Sequence, residues 1–65
     1  MRSEVRLAHE IARQFAGEPP EQSAEKVAAH IRMFWAPTMI HSLVTEADSG
    51  TGLDPVVVRV VDLLR

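Results

Sequence analysis

Histidine is the side chain best suited to hold a transition metal or pass a proton near neutral pH, and this chain has three: His9, His30 and His41. A zinc site needs three or four converging ligands, often with a pair at i and i+4 on one helix. Here the three fall in separate segments, each off the apolar stripe of its segment, and read as surface or edge residues. With no cysteine in the sequence, disulfides, thiolate metal sites and iron–sulfur ligation are excluded. The carboxylates Glu4, Glu10, Glu18, Glu21, Glu25, Glu46, Asp48, Asp54 and Asp62 are spread evenly along the chain. General acid–base chemistry requires a carboxylate tuned by burial or by a charged neighbour, and a core built from so few residues offers no deep pocket for that. No phosphate-cradling glycine loop or nucleophile elbow occurs. The expectation is a chain with no catalytic, cofactor-binding or metal-ligating residues of its own.

The elements that would position any functional side chain read as helices. At 65 residues there is room for one domain, 1–65. A core of this size supplies only roughly 3–5 kcal/mol, so chains this short usually add a disulfide, a metal or a partner. Apolar residues make up 46%, the composition of a folded domain and not of a disordered tail. At about 100° per residue, Val5, Leu7, Ala8, Ile11, Ala12 and Phe15 share half of a wheel, giving a first helix over about 3–15 with Ser3 as N-cap and Glu4 in its first turn. Gly17 stops it and Pro19-Pro20 bars its restart. A second helix is expected over about 23–35, capped by Ser23, with Ala24, Val27, Ala28, Ile31, Phe34 and Trp35 on one face. Pro37 ends that helix and suits the first position of a third, about 37–49, whose stripe is Met39, Ile40, Leu43, Val44 and Ala47. Gly50-Thr51-Gly52 reads as a turn. Asp54 as cap, Pro55 at the first position and Leu53 placed to staple against Val58 open a fourth helix. Its β-branched run would by propensity alone suit a strand, but no partner strand exists elsewhere in the chain. The expected fold class is all-α, a small bundle of three to four short helices.

Two features point to a partner. The last helix presents Val56, Val57, Val60, Val61, Leu63 and Leu64, with only Arg59 and Asp62 grouped on one side. A helix apolar nearly all round is buried from more than one direction, and three short neighbours are not expected to surround it. Val57, Val60 and Leu64 are therefore candidate partner contacts. On the second helix Met33 lies opposite the stripe of Val27, Ile31 and Phe34, beside Ala29, and is expected to be exposed if that stripe forms the core; exposed methionine beside aromatics is a common feature of binding surfaces. Phe34 and Trp35 flank that stripe on opposite sides, so one is expected in the core and the other partly exposed. Met33, Phe34, Trp35 and Pro37 complete the candidate partner-binding set. Arg2, Arg6, His9 and Arg13 form a basic stripe on the first helix, either a solvated face or a surface for an acidic partner or a nucleic-acid backbone.

Net charge −2 argues against nucleic-acid or anionic-membrane binding. The longest mostly apolar stretch, 56–64, contains Arg59 and Asp62 and is far short of a membrane span. The start, Met1-Arg2-Ser3-Glu4, lacks the apolar run of a signal peptide. A cytoplasmic location is expected.

The run His30-Ile31-Arg32-Met33-Phe34-Trp35-Ala36-Pro37-Thr38-Met39 resembles the central signature of the delta subunit of NAD-dependent, molybdenum- or tungsten-containing formate dehydrogenases, which typically reads His-Ile-x-x-Phe-Trp-Asp-Pro-Arg-Met. The resemblance extends to Arg6-Leu7-Ala8-His9-Glu10-Ile11-Ala12-x-x-Phe15 before it and to Gly50-Thr51-Gly52-Leu53-Asp54-Pro55-Val56 after it, in order and at matching spacing. Ala36 stands where the family has Asp, which removes a helix cap. Thr38 stands where it has Arg, which removes a charged contact with a partner. The resemblance implies a small non-catalytic subunit associated with the large molybdopterin-bearing subunit and with obtaining an assembled, active enzyme. Pterin, iron–sulfur clusters, FMN and NAD would belong to the other subunits. The alternatives from the residues alone are a small helical DNA-binding regulator and a self-associating helical module, the latter a homo-oligomer in isolation. Against the regulator, the third helix presents Thr38, His41, Ser42 and Thr45 outward but no Arg or Lys.

Overall fold

Proline sets where three of the helices begin. In the computed structural model, which describes residues 4–50 and 52–65, the described residues form four helices and no strand: α1 Glu4–Arg13, α2 Pro20–Phe34, α3 Pro37–Ser49 and α4 Pro55–Leu64. Each of the last three opens on a proline. Its fixed φ suits the first turn, and its missing N–H belongs to the set that has no intrahelical partner anyway. The all-α fold class read from the sequence is therefore the fold observed. The expected cap Ser3, the basic residue Arg2 and the turn residue Thr51 lie outside the described residues.

The start of α2 differs from the sequence reading. Pro19-Pro20 does not bar a restart but makes one: Pro19 is the N-cap, with φ −55° and ψ 142°, and Pro20 is the first helical residue. Ser23 is not the cap. It lies one turn inside, its N–H bonded to the Pro19 carbonyl at 2.9 Å and the residue buried. The chain between α1 and α2 descends through tight i to i−3 bonds, from Gln14 N–H to Ile11 O at 3.0 Å through Glu18 N–H to Phe15 O at 3.1 Å.

The α2–α3 corner is only two extended residues long, Trp35 (φ −95°, ψ 142°) and Ala36 (φ −68°, ψ 151°). Ala36 is the N-cap residue of α3 and offers no side-chain acceptor. Restoring a carboxylate there by Ala36→Asp is expected to stabilise the chain by about 0.5–2 kcal/mol. Urea titration of the two forms checks it, and an unchanged midpoint would refute it.

At the other end of α3, a Cβ on Gly50 would lie 2.8 Å from the backbone oxygen of Glu46. No backbone atom can retreat cheaply from that contact, so glycine is required. Gly50→Ala is expected to cost more than about 1 kcal/mol, read as a lowered melting temperature. An unchanged melt would show that the α3 terminus relaxes freely. α4 starts as read: the Asp54 carboxylate accepts from Val56 N–H at 2.9 Å, and the Asp54 carbonyl from Val58 N–H at 3.0 Å.

Apart from Leu43 of α3, the core is assembled from small and β-branched side chains: Ala8 of α1, Ala24, Val27, Ala28 and Ile31 of α2, and Val57, Val60 and Val61 of α4. α2 packs most extensively on α4, and α1 on α3. Alanines at the α2 contact permit close approach, since interaxial distance follows side-chain size. The radius of gyration, 10.5 Å, matches the roughly 10.7 Å of a compact chain of this length. The expectation that three neighbours could not surround α4 is thus corrected. Val57, Val60 and Val61 are sealed within the chain's own fold, and Val58 is the large apolar residue of α4 left substantially exposed, at 44%.

Candidate interaction surface

The C-terminal half of α2 carries the side chains of the signature. Ile31 points into the core and is fully buried, so the opposite side of the same turn faces water. Met33, on that side, is 74% exposed and Phe34, on the flank of the Ile31 stripe, 68%; they are the two most exposed large apolar residues among those described. Phe34, placed on the apolar face in the sequence reading, lies outside the core. Trp35, on the other flank, is half-buried and packs against it. The wheel's expectation of one aromatic in the core and one partly exposed is met only in part: Phe34 is outside, and Trp35 is partly buried at the edge of the core.

Phe34 is held on the surface. The His30 ring, one turn earlier on the same side, sits with its centroid 4.7 Å from that of Phe34 at an interplanar angle of 44°. Pro37 is exposed just beyond the corner. Arg32 donates to the carbonyl of Leu63, satisfying an acceptor at the open end of α4 and tying the two helix ends together. Met33, Phe34 and Pro37 thus lie on the outside of the fold near the corner. Val57 and Val60 are fully buried, and Leu64 is half-buried against the core. In this conformation a partner cannot reach Val57 or Val60.

The histidines are three separate environments. His9 links α1 to the start of α4: its Nδ1–H donates to the Val5 carbonyl at 2.8 Å, and Nε2 accepts from Asp54 N–H at 3.1 Å. The two bonds together specify the Nδ1–H form of the ring. Sequence reading placed His9 on a solvated stripe. The bond to a residue 45 positions away has no local signature in the sequence. Replacing His9 by alanine removes an acceptor for a helix-start N–H and is expected to cost about 1 kcal/mol, a melting shift of roughly 4–8 °C. A shift below one degree would show that water replaces the ring without loss. His41 is exposed. No group of three or more His, Cys, Asp or Glu among the described residues is placed to hold a metal ion.

Ion pairs stitch the surface. Glu18 pairs with Lys26, Glu21 with Arg59 at 3.1 Å, and Arg65 with Asp48 and, at 3.8 Å, Asp62. The hydrogen bond from Arg65 holds the Asp48 carboxyl below its ordinary value. Its stabilisation is therefore present above the usual carboxylate range and lost as pH falls through the lowered value; for a solvent-exposed pair it is small. A groove of about 420 Å³ lies where α1 ends and α4 begins, lined in part by Ala12, Arg13, Phe15, Ala16, Pro20 and Val56. No described helix is long and apolar enough to cross a membrane.

The family model described as NADH-dependant formate dehydrogenase delta subunit FdsD matches residues 5–61, a span that runs from the second residue of α1 to Val61, the last buried valine of α4. No curated protein and no solved structure matches the chain.

Proposed function

We propose that this chain, which belongs to the NADH-dependent formate dehydrogenase delta subunit family, is a non-catalytic accessory subunit that docks on the large, molybdopterin-bearing subunit and supports its assembly or stability. The observation that carries the reading is the family match over residues 5–61. The exposed Met33–Phe34 pair supports it by offering a place to dock. Methionine and aromatic side chains are enriched at interfaces, and these two are the most exposed large apolar side chains among the described residues. The chain acts in the cytoplasm as a single helical unit over 1–65. It brings no metal, pterin, flavin or nicotinamide site, and these belong to the other subunits. His9, Asp54, Glu18 and Glu21 serve a helix-to-helix bond, a helix cap and ion pairs, which supports a structural part for these residues.

Co-expression of the remaining formate dehydrogenase subunits with and without this chain tests the reading. The expected result is co-purification of a tagged chain with the large subunit, and a lower yield of assembled, active complex when it is omitted. Unchanged assembly and activity without it, with no co-purification, would overturn the proposal.

A further inference from the structure

We propose that the outer face of α1 between Arg6 and Arg13 is a second docking edge, which takes an acidic segment of a partner protein. The inference rests on the reading that the chain docks on a larger subunit, and it concerns a face remote in sequence from Met33 and Phe34.

Four of the six described Lys and Arg side chains are used inside the fold. Lys26 pairs with Glu18, Arg59 with Glu21, Arg65 with Asp48, and Arg32 binds the Leu63 carbonyl. Arg6 and Arg13 are exposed and take no ion pair or hydrogen bond among the described residues. They are seven positions apart, so they lie on one face, about 10 Å apart along the axis. His9 sits between them with both ring nitrogens occupied by backbone, which fixes the start of α4 beside this face. Arg13 also lines the groove, together with Ala12, Phe15, Pro20 and Val56. The face therefore combines two guanidinium groups unpaired among the described residues with an adjoining recess that is apolar at Ala12, Phe15, Pro20 and Val56; the carboxylates that also line it, Glu18 and Asp54, are engaged by Lys26 and by the start of α4. It fits a segment bearing carboxylates about two helical turns apart and one apolar side chain to enter the recess.

A nucleic-acid backbone fits less well. Glu10 lies between the two arginines on the same helix, the chain's net charge is −2, and a continuous phosphate chain would press on that carboxylate. A protein segment can place its acids over Arg6 and Arg13 alone.

The test measures binding of the immobilised full-length chain to purified formate dehydrogenase complex prepared from a host lacking this chain, at low and at physiological salt. Arg6→Glu/Arg13→Glu is expected to slow association at least tenfold at low salt and to flatten its salt dependence, because rim charges act chiefly on the association rate. Arg6→Gln/Arg13→Gln should give the same change more weakly, and it keeps the test decisive if the charge reversal disturbs folding. Met33→Ala/Phe34→Ala is expected to raise the dissociation rate instead. Wild-type binding with an association rate that neither arginine variant alters would overturn this inference and leave the docking reading standing. A wild-type chain that does not bind the complex at all would overturn both. Binding of a 20-base-pair DNA duplex by the wild type, lost in the charge-reversed variant, would reassign the face to nucleic acid and overturn the inference.

Discussion

Replacing Ile31 by alanine is expected to cost about 2–5 kcal/mol and to leave the isolated chain largely unfolded. Ile31 is fully buried and heads the largest side chains of the core. At roughly 0.05–0.15 kcal/mol per residue, a 65-residue chain has only about 3–10 kcal/mol of stability in all. The surroundings make the upper part of the cost range the relevant one. A cavity is costly when its lining cannot collapse into it, and here the other core residues of α2 and α4 are Ala24, Val27, Ala28, Val57, Val60 and Val61. Alanine has nothing to extend, and valine is stiff about χ1. Ile31→Val removes one methylene and should cost only about 0.5–1.5 kcal/mol, which leaves the chain folded. Circular dichroism with urea titration of the three forms reads the series directly. Alanine and wild-type midpoints that coincide would show that the α2–α4 contact contributes little, against the packing described. Adding the parent complex should recover helicity in the alanine variant, because a partner that binds only the folded form shifts the equilibrium by mass action.

How far the sequence discloses this architecture depends on whether the deciding interaction is local. The starts of α3 and α4 were legible because Pro37 and Asp54-Pro55 act within a few residues of themselves. The start of α2 is not legible in the same way, because a diproline is both a helix breaker and a helix starter. Which role applies depends on what precedes it: Pro19 extended at ψ 142° turns Pro20 into a first residue. The burial of α4 was underestimated for a different reason. A helical wheel counts the apolar arc of one helix but not the faces that meet it, and Ala24 and Ala28 let α2 come close enough to share that cover with α1 and α3. The His9–Asp54 bond and the pairing of Arg59 with Glu21 join residues far apart in sequence, and no periodicity reports such contacts. For the candidate surface, Met33 was read correctly from its angle opposite Val27 and Ile31. Phe34 was half-legible: its flank position admitted burial or exposure, and the structure leaves it 68% exposed.

That exposure sets the second large effect. Met33→Ala and Phe34→Ala are each expected to leave the melting curve within about 0.5 kcal/mol of wild type, the range of ordinary surface substitutions. Phe34→Ala should nonetheless weaken association with the formate dehydrogenase complex by about 2 kcal/mol or more, as truncation of an aromatic anchor does. Two side chains cannot form a stable interface alone, because a standard one buries about 800 Å² on each partner; they are anchors within a wider contact. Phe34 is the stronger of the two, since His30 already restrains its ring. Immobilising a free side chain costs roughly 0.5–1.5 kcal/mol on binding, and a ring held in advance escapes part of that. His30→Ala is accordingly expected to weaken binding less than Phe34→Ala while leaving the fold intact. Trp35→Ala should show the reverse pattern. Its ring is half-buried against the core, so its loss should fall on stability, by about 2–3 kcal/mol, below the 3–5 of a fully buried aromatic. Thermal melts and equilibrium binding on the same four variants separate the roles. If Phe34→Ala binds as tightly as wild type while Trp35→Ala folds as stably, the α2–α3 corner is neither anchor nor core, and the docking surface lies elsewhere on the chain.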